Sequence, residues 1–270
     1  MKTILAATDF SENSKNACTY AVKLAQLFNC KIILFHAFQR PSLGLSPGAV
    51  DFEPELSHAA HEELEKLKSE LLALENISVE IETLAVLGEP APVIYNIYEK
   101  KLCDLIIAGL KGRSTIEDLI VGSTTDALFK KSECPLLAIP DSYAFKKPHN
   151  FLIAESAGFS SYEGVTSILE SFTEKFHPNI TLLTILKDDE KAEDKQYPNR
   201  RKMMKGLKLA DHFVKGNEIY KEILQYADAH PPDLIILFPK HHSFWETVFN
   251  KRVTSNVAKH TKVPILSLPI

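Results

Sequence analysis

The residues best suited to chemistry form a run of glycines and hydroxyls in the first half of the chain. Glycines stand at 109, 112 and 122 and hydroxyl side chains at 123 to 125, directly after the strand-like run 104–108. A strand that ends in glycine can turn without a Cβ clash, and a second glycine lets a ligand approach the main chain. Gly122 would then open a helix, whose first N–H groups and dipole favour an anion. The spacing therefore predicts a phosphate-binding loop, and the alternative is an ordinary connection between a strand and a helix.

The composition is that of a globular protein and argues against several classes. The chain has 270 residues, so two domains are expected rather than one. A net charge of -4 argues against nucleic acid as a partner. No apolar stretch approaches the roughly 18 residues that cross a bilayer, so we expect no membrane association and a cytoplasmic location. The four cysteines have no CxxC spacing, which predicts buried free thiols rather than disulfides or a zinc site.

Two pairs of similar segments indicate an internal repeat. Asp-Leu-Ile-Ile at 104–107 recurs at 233–236, and 134–140 recurs at 263–269 in the pattern x-Pro-x-Leu-x-x-Pro. Both pairs are separated by 129 positions, and the strand-like segments that open the two copies by 147. An offset that two segments share implies that a whole unit was duplicated. We therefore expect one domain at 1–141 and a second at 150–270, joined by a short linker.

Short apolar runs alternate with longer amphipathic ones in the first copy. This pattern predicts strands at 3–7, 31–37, 78–86, 104–108 and 135–139, and helices near 13–28, 54–75, 90–100 and 123–131. Strands that are apolar throughout are covered on both faces, so we expect an α/β fold with a parallel sheet between helices. Ligands of such sheets bind outside the carboxyl ends of the strands. The loops that begin at Thr8, Phe38 and Gly109 would therefore line one crevice.

The sequence resembles the universal stress protein superfamily, as a tandem two-domain member. The resemblance rests on Ile4-Leu-Ala-Ala-Thr-Asp-Phe-Ser11, on the pattern Gly-x2-Gly-x9-Gly-(Ser/Thr) over 109–123, and on the strand that begins Cys134-Pro135. It implies two Rossmann-like domains, each with a five-stranded parallel-type sheet and helices on both faces. It also implies ATP in the first domain, with adenine between the first two strand ends and the phosphates on the glycine loop. Mg²⁺ is expected with the triphosphate, because clustered phosphate charge is costly.

The resemblance assigns nucleotide-binding roles residue by residue. Asp9 would contact the nucleoside, and its alternative role is to cap the helix that follows, alone or with Ser11. The main chain of Ala37 would contact the base, while Lys111 and Arg113 add positive charge near the phosphates. The predicted nucleotide-binding residues are Ala7, Thr8, Asp9, Ala37, Gly109, Leu110, Gly112, Arg113, Gly122, Ser123 and Thr124.

The second copy departs from this pattern where the ligand would lie. The 129-residue offset puts Phe238, His241 and Lys251 in the places of the three glycines, and Ser156 in the place of the acidic residue. These side chains fill space that a phosphate would need, so we expect no ATP in 150–270. Adjacent histidines at 241 and 242 raise a metal-binding alternative. It is disfavoured, because neighbouring side chains diverge and no carboxylate or cysteine has ligand-like spacing nearby.

The combined features favour a regulatory ATP-binding stress protein over an enzyme. The chain has no Gly-Lys-(Ser/Thr) phosphate loop and no protein-kinase motifs, so no catalytic or metal-ligating residue is predicted. A slow ATPase and a nucleotide-free interaction module of the stress response are the alternatives. An unknown protein partner is expected. The resemblance also implies that 136–139 and 265–268 pair within one chain, and a homodimer of whole chains stays open.

Overall fold

The computed structural model describes residues 1–40, 53–111, 121–141, 143–156, 166–186, 208–239 and 251–269. Within these ranges the strands are β1 (Thr3–Ala7), β2 (Lys31–Phe38), β3 (Ile81–Leu87), β4 (Leu105–Gly109), β5 (Leu136–Ile139), β6 (Asn150–Ser156), β7 (Asn179–Leu186), β8 (Lys208–Lys215), β9 (Leu234–Leu237) and β10 (Ile265–Ser267). The helices are α1 (Glu12–Phe28), α2 (Glu53–Leu72), α3 (Pro90–Glu99), α4 (Ser123–Lys131), α5 (Thr166–Phe176), α6 (Ile219–Ala229) and α7 (Lys251–His260).

The strands form one sheet that consists of two halves with the same strand order. The order across the sheet is β3-β2-β1-β4-β5-β10-β9-β6-β7-β8. Strands β1–β5, the first half, are parallel to one another, as are β6–β10, the second half. At the centre β5 pairs antiparallel with β10, and Leu137 lies opposite Leu266. The predicted pairing of the last strands within one chain is therefore confirmed, and the halves are related by a pseudo-twofold axis.

Helices cover both faces of the sheet, which is why the strands are apolar at nearly every position. Helices α1, α2 and α5 contribute to the core on one face, and α3, α4, α6 and α7 to the core on the other. All five residues of β1 are buried between these layers. The predicted α/β fold, with helices on both faces of each half, is confirmed. The four cysteines are buried free thiols, as expected.

The two halves also contact each other through helices on both sides of the sheet. On one face, the ring of Phe28 in α1 lies 5.4 Å from Phe172 and 5.5 Å from Phe176 in α5. On the other face, the hydroxyl of Ser255 in α7 donates a hydrogen bond to the carboxylate of Asp126 in α4. Ser255 and Asp126 are 129 positions apart, so this contact joins equivalent positions across the pseudo-twofold axis.

An aspartate fixes the start of the first strand in each half. The carboxylate of Asp104 accepts hydrogen bonds from the N–H groups of Lys2 and Thr3, at 2.5 and 2.9 Å. Asp233, which is 129 positions further on, accepts equivalent bonds from 149 and 150 at 2.9 Å each. The structure therefore gives a physical reason for the aspartate that opens the repeated segment.

Several strand boundaries differ from the prediction, most by a single residue, and two of the differences have a structural consequence. Strand β3 begins at Ile81 rather than at 78, because the N–H of Ser78 is bound to the side chain of Gln26 at 2.9 Å and not to a neighbouring strand. Strand β4 extends to Gly109, which pairs in register with Ile139. Gly109 is thus the last strand residue and not the first residue of the turn.

Candidate functional site

A crevice opens at the carboxyl ends of β1, β2 and β4, where chain connections leave β1 and β4 in opposite directions across the sheet. This is the position at which parallel α/β sheets bind ligands. The crevice encloses about 570 Å³ of empty space, counting the part open to solvent. Its described lining residues are Ala7, Thr8, Asp9, Ser14, Phe35, His36, Ala37, Pro90, Ala108, Gly109, Lys111, Gly122, Ser123, Thr124 and Thr125.

The turn between β1 and α1 is held rigidly by short polar side chains. Ser11 is the N-cap of α1, and its hydroxyl accepts a hydrogen bond from the N–H of Ser14. The carboxylate of Asp9 accepts bonds from the N–H of Ser11 at 3.1 Å and from its hydroxyl at 2.6 Å. Asp9 therefore positions Ser11, which is the capping residue, and it also lines the crevice.

Phe10 in this turn has an unusual backbone conformation. Phe10 has a φ of 63°, the left-handed region that non-glycine residues seldom adopt. Its N–H donates to the hydroxyl of Thr8 at 2.9 Å, and its ring packs on His36 with centroids 4.4 Å apart. The thiol of Cys18 lies beneath Thr8, and burial raises the pKa of this thiol to about 12. Cys18 is thus a neutral packing residue below the site.

His36 lines the crevice but was not among the predicted residues. Its Nδ1 lies 2.8 Å from the carbonyl oxygen of Thr8. A carbonyl can only accept, so Nδ1 carries the proton and, in the neutral ring, Nε2 is an acceptor. The signal in the sequence is a single imidazole near the end of strand β2, after the apolar run 32–35. It was overlooked because the prediction assigned only main-chain contacts to this strand end.

On the opposite wall, the first turn of α4 is anchored to the end of β4. The N–H of Gly122 donates to the carbonyl of Leu110 at 2.7 Å, and the hydroxyl of Thr125 donates to the carbonyl of Gly109 at 2.7 Å. The N–H groups of Ser123 and Thr124 belong to the first turn, where a helix offers no internal acceptor. The helix dipole adds partial positive charge at this end.

The structure brings most of the predicted residues together. Eight of them line the crevice: Ala7, Thr8, Asp9, Ala37, Gly109, Gly122, Ser123 and Thr124. Leu110 is buried beside the crevice and does not line it, because its N–H donates to Ile139 at 2.8 Å and its side chain enters the core. Gly112 and Arg113 lie outside the described residues.

The second half differs at the equivalent place. Phe238, which corresponds to Gly109, is 2% exposed and belongs to the core. A buried ring therefore occupies the position from which the first half excludes a side chain. His241, its neighbour at 242 and the side chain of Lys251 lie outside the described residues. Among the residues that the structure describes, no group of three or more potential ligands could hold a metal ion.

The described helices differ from a membrane span in length or in hydropathy. None of them is both long and apolar enough to cross a bilayer.

The sheet order and the helices on both faces define a doubled Rossmann-like α/β protein. Residues 1–140, just over half of the chain, match the model of the universal stress protein family. The chain therefore belongs to the universal stress protein family, and the resemblance drawn from its motifs is confirmed.

Individual relatives agree with this assignment. The chain is 29% identical over 155 residues to universal stress protein MJ0577 of Methanocaldococcus jannaschii. This alignment covers 51% of this chain and 94% of the relative. It is 30% identical over 138 residues to a universal stress protein of Thermus aquaticus, with 51% and 98% covered. The crystal structure of a universal stress protein from Archaeoglobus fulgidus superposes with a TM-score of 0.74 over 99% of this chain and 98% of that one, at 18% identity. The last comparison supports the doubled fold along the whole chain.

Proposed function

We propose that the first half, 1–141, is a regulatory unit that binds an adenine nucleotide, ATP together with Mg²⁺, in the crevice. The second half, 150–270, binds no ATP in this proposal. The observation that carries the proposal is the convergence of two kinds of group at one crevice. An acceptor-rich turn after β1 and the N-terminus of α4 line this crevice together with the ends of β2 and β4.

The wall formed by β1 and β2 suits a nucleoside. Ala7 and Phe35 supply apolar surface, and Ala37 brings main-chain groups to the same wall. The carboxylate of Asp9 is an acceptor for ribose hydroxyls. Nε2 of His36 is an acceptor for an exocyclic amine such as that of adenine. These donors and acceptors favour an adenine nucleoside over an apolar ligand.

The wall formed by α4 suits phosphate. The N–H groups of Ser123 and Thr124, their hydroxyls and the helix dipole all favour negative charge at one point. Lys111 also lines the crevice and adds a positive charge near it. Mg²⁺ usually binds through phosphates, water and one or two carboxylates. Asp9 and the neighbouring hydroxyls fit that donor set, so the phosphates of the ligand would supply most of the coordination.

The proposal is tested first by the nucleotide content of protein purified without added nucleotide. We expect about one adenine nucleotide per chain after denaturation and chromatography. ATP as the released species supports the regulatory role, whereas conversion of added ATP to ADP by the purified protein would identify a slow ATPase. If the protein is empty and millimolar ATP leaves the melting temperature unchanged, the crevice binds no ATP and the proposal is wrong.

The variant Ser123→Glu separates ligand binding from folding. A carboxylate in the first turn of α4 interacts favourably with the helix dipole, by about 0.3–1 kcal/mol, but it repels phosphate. We expect ATP affinity to fall at least tenfold, by titration calorimetry, while the melting temperature is unchanged or higher. Ser123→Gln is the matched control, because it has the same size without the charge. Equal ATP affinities for the two variants would contradict a phosphate site at this turn.

A further inference from the structure

We propose that a cleft between the two halves binds the distal phosphates of a nucleotide whose nucleoside lies in the crevice. This junction cleft is lined by Lys111 of the first half and by Lys259, His260 and Lys262 of the second. The second half would then supply cations to a ligand held by the first. The inference rests on the proposed nucleotide function and adds to it the class of ligand, a nucleoside polyphosphate.

The junction cleft adjoins the crevice at Lys111. It holds about 1020 Å³ of empty space, counting the part open to solvent. Lys111 lines both the crevice and the cleft. Leu110, which follows Gly109, and Val121, which precedes Gly122, line the cleft, and the carbonyl of Leu110 accepts a hydrogen bond from the N–H of Gly122. A phosphate chain that starts at the first turn of α4 would therefore have a path into the cleft.

The cleft carries an excess of positive charge. Its described lining residues include three lysines and a histidine but a single carboxylate, Asp141. That carboxylate lies 4.0 Å from the ammonium group of Lys111. Lys259, His260 and Lys262 are all exposed at this cleft. An anion with several charges is the ligand that such a lining favours.

Helix capping alone does not explain this charge. Cations near the C-terminus of a helix stabilise it, and Lys259 and His260 in the last turn of α7 match Lys130 and Lys131 in the last turn of α4. Lys262, however, lies beyond the helix, and the position 129 residues earlier is Glu133.

The two halves therefore carry opposite charges at this pair of equivalent positions, Glu133 and Lys262. Glu133 forms an ion pair of 2.7 Å with Lys131, which reduces the positive charge after α4. The equivalent position after α7 carries Lys262, which lines the same cleft as Lys111 of the first half. The extra cation thus lies where a distal phosphate would arrive.

Titration calorimetry of the full chain with ATP, ADP and AMP tests this proposal. In the double variant Lys259→Gln/Lys262→Gln we expect ATP to bind about three- to tenfold more weakly, since exposed charge interactions are individually modest. AMP should bind within twofold of the unaltered chain, because its single phosphate stays at α4. The variant Lys262→Glu introduces the residue found at the equivalent position of the first half, Glu133. It should lower ATP affinity more than removal of the charge at this position does. Both effects should shrink as salt is raised.

Lys175→Gln is the matched control. Lys175 is an exposed lysine in the last turn of α5, so its substitution makes the same change in charge at the same kind of position. We expect it to leave all three affinities unchanged. Unchanged ATP affinity in the double variant, or an equal loss for AMP and ATP, would overturn the role of the cleft while the crevice still binds nucleotide. Failure of the unaltered chain to bind any of the three would instead refute the proposed function, and the cleft proposal with it.

Discussion

Gly109 has a packing role that is separate from any ligand. A Cβ built on this residue would lie 3.1 Å from the carbonyl oxygen of Asn13 and 3.2 Å from its carbon. Both atoms belong to the main chain at the start of α1, so they cannot move aside as a side-chain tip would. The sequence pattern attributed this glycine to a turn and to close ligand approach. In the structure it is a strand residue whose missing side chain lets α1 pack against β4.

Gly109→Ala is therefore expected to destabilise the protein without any ligand present. Overpacking against a fixed neighbour costs about 1–3 kcal/mol, which urea denaturation would detect as a lower midpoint. Gly216→Ala is the control, because a Cβ there would meet the flexible side chain of Glu222. Equal unfolding midpoints for Gly109→Ala and the unaltered chain would show that α1 can shift at no cost.

At the scale of single elements, the aspartates before β4 and β9 anchor the strands beside them. Asp233 also forms an ion pair of 2.6 Å with Lys146 in the linker between the halves, and its side chain is 12% exposed. Burial alone would raise the pKa of Asp233, but hydrogen bonds from Lys146 and from the N–H groups of 149 and 150 outweigh it and lower the pKa. The charged form is thus the one that stabilises the fold.

This lowered pKa predicts that the stability of the fold depends on pH. The contribution of Asp233 is present above the unfolded pKa of about 3.9 and is lost as the pH falls through the lower folded value. Asp233→Asn should lose about 1–2 kcal/mol of unfolding free energy at pH 7, and the difference from the unaltered chain should shrink towards pH 2.5. Chemical denaturation across this range measures it. The exposed Asp228 provides the control variant Asp228→Asn, and a difference for Asp233→Asn that is constant with pH would contradict the argument.

Sequence patterns predicted the elements better than the contacts between them. Strands β1 and β4 were predicted within a residue or two, because burial on both faces makes them apolar throughout. The start of β3 was predicted three residues too early, because a side chain from α1 binds the main chain at Ser78. His36 and the junction cleft depend on which strand ends and helix ends meet in space, and no local pattern encodes those distances.

At the scale of the whole molecule, the pairing of β5 with β10 is self-complementary. Leu137 lies opposite Leu266, and its neighbours Leu136 and Ala138 lie opposite Ser267 and Ile265. By the 129-residue offset, Leu266, Ser267 and Ile265 correspond to residues 137, 138 and 136 of the first half. Strand β5 could therefore pair with a second copy of itself in the same register.

A fragment of residues 1–141 is expected to dimerise through that strand. Removal of the second half exposes the edge of β5, and an unpaired apolar edge favours association. Analytical ultracentrifugation of the fragment should give twice the monomer mass. Leu137→Lys puts a charge on the paired strand but also into the core, where Leu137 is fully buried, so a monomer mass for this variant counts only if its circular dichroism is that of a folded α/β protein. A folded, monomeric fragment without this substitution would contradict the prediction.

In the full chain, the linker between β5 and β6 replaces that association by an intramolecular contact. A partner tethered by a short connection is present at an effective concentration in the millimolar range, whatever the abundance of the protein. A dimer of separate subunits would dissociate wherever the subunit concentration fell below the dissociation constant of the dimer. The tandem chain keeps both halves together at any copy number, so each half can diverge in sequence without losing its partner.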